Sequence, residues 1–287
     1  MKTFPLVAKS FLASFLSLGL AHAMPIQDIN ILHAKKVMLV VAMPSEAMPL
    51  IQTFKLHEVN NAFPGLPMKA YEGKYRNLEV FLVLNGDDPT YQVANVGTQA
   101  STLSTYMGIQ KDHPDLVISI GTAGGIAQNG SALLDIYAST RVNFFDRRIA
   151  VQPFTAYGVG AYPSVNLAPF DAKVGLKPGV VCSGDSFDNN QTDYNVMLKQ
   201  HCGAVEMEAA GVAWVCSLTH TPMFAMKGIT NFSSVPEGGE QFAKNFPAVT
   251  KKLATTLKAF FDEISPLARR PQATAIKLRL GKEKPAR

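Results

Sequence analysis

Residues 114–127, PDLVISIGTAGGIA, place a short apolar run directly before a glycine-rich segment. The run from Asp115 to Ile120 is mostly apolar, which is typical of a strand buried on both faces. The glycines from Gly121 to Gly125 carry no side-chain bulk and permit positive φ, so the backbone there can approach a ligand closely. This stretch predicts a buried strand that ends in a turn, which either contacts a ligand or is simply a tight turn.

Strand-like and helix-like patterns alternate on both sides of this stretch, from residue 36 to residue 264. Further strands are predicted at 36–43, 78–84, 136–145, 179–183 and 223–229, and helices after Ser45 and over 93–110, 208–218 and about 240–264. Ser45 is expected to cap the first helix, Pro247 to break or kink the last one, and residues 147–163 to form a long ordered loop. The alternation predicts an α/β fold of one domain, with a central mixed sheet flanked by helices.

The first 23 residues have the layout of a secretory signal peptide. Lys2 and Lys9 flank the start of an apolar stretch from Phe11 to Leu20, and Ala21-His22-Ala23 matches a small-x-small cleavage site. The apolar stretch is too short to span a bilayer stably, although an uncut membrane anchor is the alternative. We expect a signal peptide over 1–23, a folded domain over 24–268, and export to the periplasm or the outside, with no stable membrane insertion after cleavage.

The net charge of +5 is concentrated at the two ends of the chain. Residues 1–23 carry +2 and residues 269–287 carry +6, which leaves −3 for residues 24–268. The charged fraction of 17% and the hydrophobic fraction of 47% exclude a disordered or collagenous chain. Residues 269–287 are expected to be a disordered basic tail, and a weak role of this tail at nucleic acid or a membrane surface is the alternative. The charge of the domain gives no reason to expect a nucleic-acid partner.

The three cysteines, Cys182, Cys202 and Cys216, are an odd number and have no C-x-x-C spacing. They indicate neither a disulfide framework nor a zinc site. One bridge can form in an oxidising compartment, but the simpler interpretation is that all three are small buried hydrophobic residues.

Two further segments carry residues suited to chemistry. Residues 205–208, VEME, place Glu206 and Glu208 around an apolar residue at a predicted junction between strand and helix. Two carboxylates are costly to bury there without partners, so one of them should face a polar ligand. Residues 183–187, SGDSF, close another strand with a turn and offer an aromatic ring.

Together with residues 42–46, AMPSE, these segments resemble the nucleoside phosphorylase and nucleosidase superfamily, and most of all the plant branch of the 5'-methylthioadenosine/S-adenosylhomocysteine nucleosidases. The resemblance runs from about residue 36 to residue 264 through AMPSEA, GDDPT, VGT, PDLVISIGTAGGIA, FFDRR, YGVG, SGDSFD, VEMEAAGVA and GITN, in family order. It implies a nucleoside phosphorylase-like fold and hydrolysis of the bond between purine and ribose through an oxocarbenium-like transition state. It also implies that no metal or organic cofactor is needed, and that the chain is a homodimer whose partner subunit lines the pocket for the 5' substituent.

The resemblance also implies roles for single residues. Glu46 matches the carboxylate that orients and deprotonates the attacking water, and Glu208 the one that accepts hydrogen bonds from the 2'- and 3'-hydroxyls. Met207 matches the residue packed beneath the sugar, and Phe187 the ring stacked on the base. The other positions expected to contact the substrate are Thr122, Ala123, Gly124, Asp188, Glu206 and Thr230, with the main chain near Phe187 and Asp188 reading the purine edge.

Asn231 departs from the family pattern, in which the Ser or Thr before it is followed by an Asp that protonates N7 of the leaving purine. An amide can give N7 a hydrogen bond, but it cannot transfer a proton as a carboxylic acid does. Three hypotheses follow: a nucleosidase for methylthioadenosine or adenosylhomocysteine, a 6-oxopurine hydrolase or phosphorylase, and an exported nucleoside- or purine-binding protein with weakened catalysis. Residues 97–99 supply no cation for a phosphate, which favours water as the nucleophile.

Overall fold

The computed structural model describes residues 31–188, 190–233 and 236–265, so the expected signal peptide and basic tail lie outside the described residues. The strands are β1 (Lys36–Val41), β2 (His57–Val59), β3 (Lys69–Tyr75), β4 (Leu78–Leu84), β5 (Leu116–Gly125), β6 (Ile136–Phe144), β7 (Tyr162–Pro163), β8 (Lys177–Ser183), β9 (Cys202–Glu206) and β10 (Met223–Phe232). The helices are α1 (Pro44–Phe54), α2 (Thr98–Asp112), α3 (Phe154–Val159), α4 (Ala168–Val174), α5 (Gln191–Lys199), α6 (Ala209–Thr219) and α7 (Gly238–Ile264).

The strands form one sheet in the order β10-β6-β8-β9-β5-β1-β4-β3-β2, with β7 beside β6. Because β10 also pairs with β5, the strands β5, β9, β8, β6 and β10 close into a ring, and β1, β4, β3 and β2 extend from it. β5 runs parallel to β1 and β10 and antiparallel to β9. The predicted α/β fold with a central mixed sheet is therefore confirmed.

Helices cover both faces of this sheet with separate apolar clusters. One cluster joins β1, β4 and β5 to α1 and α7, and it includes Leu39, Leu50 and Phe261. The other joins the opposite face to α6 and includes Val40, Val212 and Ala225. Alternate residues of β1 thus point into different clusters, as expected for a strand that is buried on both faces.

The glycine-rich segment from Gly121 to Gly125 is part of β5 and not the predicted turn. Gly124 pairs with Val205 of β9 on one side and with Asn231 of β10 on the other, and Gly125 is paired on both sides too. Two neighbouring strands supply hydrogen-bond partners for the backbone, which keeps it extended. The prediction failed because β9 was not recognised from the sequence.

Other boundaries also differ from the predictions. Ser45 does not cap α1, because the helix begins at Pro44 with Met43 as its N-cap residue. Proline is well suited to the first helical position, where its missing N–H has no helical partner to lose. α2 begins at Thr98 and not at residue 93, and α7 is helical on both sides of Pro247 without a break. The expected loop over 147–163 contains α3 and β7.

The interpretation of the cysteines was wrong for two of the three. Cys182 of β8 and Cys202 of β9 form a disulfide with 5.7 Å between their Cα atoms, whereas Cys216 is free and buried. The disulfide cross-links two neighbouring strands. The chain between the two cysteines, which contains α5, therefore forms a covalently closed loop.

Replacing both Cys182 and Cys202 with Ala should lower the free energy of unfolding by about 3 kcal/mol, because a cross-link over some 20 residues restricts the unfolded chain. Urea denaturation of the wild type in dithiothreitol should give the same reduced value. Cys216→Ala is the control, since it removes a buried cysteine without removing a bond. A wild type that is equally stable with and without the reductant would contradict this expectation.

Candidate active site

The predicted site residues come from five parts of the fold. Glu46 lies in the first turn of α1, Thr122 near the end of β5, Glu206 at the end of β9, and Asn231 near the end of β10. Phe187 lies in the loop after β8. Because β1, β5 and β10 are parallel, their carboxyl ends meet at one edge of the sheet, where ligands of α/β proteins commonly bind.

Glu46 is held on the end of β5. Its Oε1 accepts hydrogen bonds from the backbone N–H of Thr122 at 2.7 Å and from Thr122 Oγ1 at 2.8 Å. Its Oε2 accepts the N–H of Met43 at 3.3 Å, so the same carboxylate caps its own helix. Three hydrogen-bond donors, two on β5 and one at the start of α1, thus fix the position of a buried carboxylate.

Gly121 makes the approach of this carboxylate possible. A Cβ atom at this position would lie 3.0 Å from Glu46 Oε1 and 3.3 Å from its Cδ. Both are inside normal contact distance for carbon, so a larger residue would push the carboxylate away from Thr122. The glycine that was predicted to admit a ligand instead admits Glu46.

Lys227 of β10 is a buried cation beside these acids. Its Nζ lies 2.6 Å from Glu206 Oε2, and both side chains are 2% exposed. Glu206 also accepts a hydrogen bond from Ser183 Oγ and from the N–H groups of Glu208 and Ala209 at the start of α6. The oxygens of Glu206 are therefore used by internal partners, as a buried charge requires.

Glu208, the N-cap residue of α6, is the second carboxylate of the VEME segment. Its Oε1 accepts the N–H of Gly97, immediately before α2, at 3.0 Å. Burial raises the pKa of Glu208 to about 7, and the nearby Glu206 carboxylate contributes to the increase. This carboxyl group therefore changes its charge close to neutral pH.

The buried charges influence one another. Burial raises the pKa of Glu46, although the Thr122 hydrogen bond and Lys227 act in the opposite direction. Burial alone would lower the pKa of Lys227, but Glu206, Glu208 and Glu46 together raise it. Lys227 is thus charged; it contacts Glu206 and interacts electrostatically with Glu208 and Glu46. This excess of negative charge suits a bound group that becomes positive.

A β-bulge in β10 places Asn231. Ile229 pairs with Ala123 and Asn231 pairs with Gly124, so Thr230 is an extra residue opposite β5. Thr230 Oγ1 donates to Asn231 Oδ1 at 2.8 Å and lies 3.2 Å from the carbonyl oxygen of Ala123. Asn231 Nδ2 donates to the carbonyl oxygen of Phe232 at 3.3 Å. Bulges commonly redirect a side chain beside an active site, and here the amide lines a pocket.

That pocket encloses about 450 Å³, a volume in the range of small-molecule sites. Its wall includes six of the predicted residues, namely Gly124, Phe187, Asp188, Glu206, Met207 and Asn231. Phe187 is 60% exposed, and its ring packs edge-on against Phe242 of α7. The other predicted residues, Glu46, Thr122, Ala123, Glu208 and Thr230, do not line this pocket, although Thr230 is hydrogen-bonded to Asn231. No group of three or more His, Cys, Asp or Glu side chains in the described ranges is arranged to hold a metal ion.

The sequence interpretation missed Lys227, Ser183 and Asp185. Lys227 is the only charged residue in the apolar strand from Met223 to Phe232, and this isolation was a usable signal. Ser183 and Asp185 were quoted only as parts of the SGDSF turn. Their partners lie 23 and 87 residues away, and no local pattern shows such pairs.

Comparison with known proteins identifies the family of the chain. The sequence model of the phosphorylase superfamily matches residues 36–263. The chain belongs to the phosphorylase superfamily. Among its superfamily relatives, a 5'-methylthioadenosine/S-adenosylhomocysteine nucleosidase of Arabidopsis thaliana is 36% identical over 238 residues, which cover 80% of this chain and 91% of the relative. A 5'-methylthioadenosine nucleosidase of the same plant is 32% identical over 223 residues, or 77% and 84% of the two chains.

A solved structure of this superfamily has the same fold. The apo structure of Arabidopsis thaliana 5'-methylthioadenosine nucleosidase superposes with a TM-score of 0.78 at 31% identity, over 81% of this chain and 97% of that chain. The resemblance seen in the sequence motifs is therefore confirmed for both family and fold. The superfamily match also spans the residues of all the predicted site motifs.

Proposed function

We propose that this protein is a hydrolase that cleaves the N-glycosidic bond of purine nucleosides, with 5'-methylthioadenosine and S-adenosylhomocysteine as its substrate class. The observation that carries the proposal is the buried Glu46 carboxylate, fixed on Thr122 at the edge of the sheet where the carboxyl ends of β1, β5 and β10 meet. A general base needs a fixed position and a raised pKa, and Glu46 has both. The nucleosidases similar to this chain supply the substrate class.

The other residues suit a reaction in which the sugar becomes positive. Glu208 is the carboxylate that accepts the ribose hydroxyls, because Glu206 already uses its oxygens for Lys227, Ser183 and α6. Met207 lies beneath the sugar and Phe187 against the base. The ionised carboxylates stabilise the oxocarbenium-like transition state more than the neutral substrate, and this difference speeds the reaction.

Water suits this site better than phosphate as the nucleophile. The N–H and hydroxyl of Thr122, which are good donors for an anion, already bind Glu46. The ammonium of Lys227 is bound to Glu206. A phosphate placed near Thr122 would meet a carboxylate without a cation to balance its charge.

Asn231 is the donor to N7 of the purine. Its Oδ1 accepts the Thr230 hydroxyl, so the amide Nδ2 is the end that has a hydrogen to offer. N7 is an acceptor in adenine and in 6-oxopurines alike, so this contact does not choose between them. A 6-oxopurine nucleoside is the second candidate substrate, because the amide of Asn231 can also donate to O6, an acceptor beside N7 that adenine lacks.

The direct test is the release of free base by the purified protein. Methylthioadenosine, adenosylhomocysteine and inosine are each incubated with and without phosphate, and the products are separated by liquid chromatography. The proposal expects adenine and a free sugar from the first two at a rate independent of phosphate. Strict dependence on phosphate would indicate a phosphorylase, and binding without release of any base would indicate a binding protein.

The rate should depend on the ionisation of the two catalytic carboxyl groups. Glu208 must be ionised to accept two hydroxyls, and its pKa is raised from 4.5 to about 7. The rate constant kcat/KM should therefore fall about tenfold per pH unit below this value. A profile measured from pH 5 to pH 9 checks this, and Glu208→Gln should remove the contribution of Glu208. A limb that stays below pH 5 would contradict the assignment.

The contribution of Glu208 to the free energy of unfolding should change with pH in the direction opposite to kcat/KM. Between pH 4.5 and about 7 the folded chain binds the Glu208 proton more tightly than the unfolded chain does. The contribution of this group to the free energy of unfolding therefore decreases as the pH rises through that range. Comparison of urea midpoints for the wild type and Glu208→Gln isolates this contribution.

We infer a homodimer from exposed apolar side chains on one stretch of the chain. Five large ones lie between the end of β4 and the middle of α2, namely Tyr91, Val93, Val96, Leu103 and Tyr106. Leu103 and Tyr106 are three residues apart on α2 and therefore lie on one face of it. Exposed apolar surface of this kind favours a protein contact, and sedimentation velocity measures the mass.

Export is likewise a proposal. It is supported by the signal-like residues 1–23 and by the disulfide between Cys182 and Cys202, because such bonds persist in oxidising compartments. None of the helices in the described ranges combines the length and the apolarity needed to cross a membrane. Cell fractionation and the N-terminal sequence of the mature chain test export and cleavage after Ala23.

A further inference from the structure

The amino end of α2 binds two carboxylates that come from different loops. The N–H of Gly97 donates to Glu208 Oε1 at 3.0 Å, and the N–H of Thr98 donates to Asp185 Oδ1 at 2.6 Å. Asp185 Oδ2 accepts two more hydrogen bonds, from Thr98 Oγ1 at 2.7 Å and from Gln99 Nε2 at 2.9 Å. The first N–H groups of a helix have no helical partner and favour negative charge. Gly97 and Thr98 thus attach two groups to the same helix: Glu208, the carboxylate proposed to bind the sugar, and the loop after β8.

The loop after β8, residues 184–188, is called the base loop here because it carries Phe187. Residues 185–188 are exposed, so burial of apolar surface contributes little to holding them. Polar bonds hold the loop instead, since the Asp185 N–H donates to Asp146 Oδ2 at 2.7 Å and the Gly184 N–H donates to the carbonyl oxygen of Glu206. Bonds to charged groups are the stronger class of hydrogen bond, so Asp185 is the main attachment point.

Gly97 shows that this attachment is a close contact. Its φ of +103° lies in the region that favours glycine, and a Cβ there would lie 2.9 Å from Asp185 Oδ1. Any other residue at position 97 would strain the backbone and press on the carboxylate. The chain thus has a glycine at the position where the base loop meets α2.

We propose that Asp185 is a positioning residue that fixes the base loop on α2 and thereby sets the affinity for the purine. The inference rests on the proposed function, because it assigns the base to the pocket of Phe187. Asp185 does not line that pocket, but the three residues after it, 186–188, do. Asp185 therefore acts on the purine through the position of these residues. The same helix end holds Glu208, so the base and the sugar are aligned on one rigid element.

The test compares Asp185→Ala with a matched control, Asp115→Ala. Asp115 Oδ2 accepts the N–H groups of Lys35 and Lys36 at 2.8 and 3.0 Å. Asp115 therefore also joins distant segments by backbone hydrogen bonds. It does so at the amino ends of β1 and β5, whereas the site lies at their carboxyl ends. For each variant KM and kcat with methylthioadenosine, the Kd of free adenine by calorimetry, and the Tm are measured.

Asp185→Ala should raise both KM and the adenine Kd at least about tenfold, the effect of one lost charge-assisted hydrogen bond, while kcat changes much less. Asp185→Asn keeps an acceptor for the Thr98 N–H and should recover part of the affinity. Asp115→Ala should lower the Tm without changing KM or Kd. Unchanged KM and Kd in a folded Asp185→Ala protein, or equal shifts in the control, would overturn the proposal.

Two further measurements keep the outcome clear. If Asp185→Ala does not fold, Thr98→Val removes one of the three bonds to the carboxylate and should raise the adenine Kd by a smaller factor. Hydrogen exchange of the amides at 184–188 needs no substrate, and it should be faster in the Asp185 variants than in the wild type. A wild type without activity or purine binding would refute the proposed function, whereas unchanged exchange in the variants would refute the positioning role.

Discussion

Glu46→Gln should reduce kcat by about 10²- to 10⁴-fold, the usual contribution of a general base, with little change in KM. The amide has the shape of the carboxylate but cannot take the proton of the attacking water. Its carbonyl oxygen can still accept both hydrogen bonds from Thr122, and only the 3.3 Å bond from the Met43 N–H is lost. The measurement is steady-state release of adenine at pH 8, above the pKa of about 7 of Glu208.

Loss of activity through misfolding is distinguishable in this variant. We expect the free energy of unfolding to change by no more than about 1 kcal/mol, because one long hydrogen bond is lost while a buried charge is removed. Asp171→Asn is the matched control, since burial also raises the pKa of Asp171, which lies on α4 before the start of β8. The control should keep full kcat. A Glu46→Gln protein with wild-type kcat would show that another group activates the water.

The fold was predictable where a strand's own residues determine its burial. β1, β4 and β10 are apolar runs, and each prediction overlaps the observed strand. β9 was missed because its residues, CGAVE, are few and mixed, and its position depends on pairing with β5 and β8. The glycines of β5 were misread for the same reason, since glycine favours a turn until neighbouring strands pair with it.

The candidate site was predictable where a motif supplies the residue itself. Glu46, Glu208 and Asn231 stand in motifs, and the structure brings them to one edge of the sheet. The ion pair that occupies Glu206 was not predictable. It depends on Lys227, which reaches Glu206 only because β10 and β9 both lie beside β5.

Asn231→Asp should raise the rate of adenine release by about 10²- to 10⁴-fold if the wild type lacks only the general acid. Asp Oδ1 can keep the hydrogen bond from Thr230 Oγ1. The other oxygen would stand where Nδ2 now donates to the carbonyl oxygen of Phe232 at 3.3 Å. Two oxygens that face each other favour a proton between them, so the new carboxyl would hold the proton that N7 needs. The measurement is kcat with methylthioadenosine and with inosine.

Asn231→Leu is the control, because it keeps the size of the side chain and removes its hydrogen bonds. It should bind purine more weakly than the wild type, since the amide then no longer donates to N7. A gain for methylthioadenosine in Asn231→Asp at nearly constant KM would mean that the wild type is a weakened adenosine-type nucleosidase. A loss for inosine without that gain would contradict this and assign Asn231 to a 6-oxopurine. The direction of the change thus shows which purine the site prefers. The two substrates differ in the group beside N7, and an amide and a carboxyl recognise these groups differently.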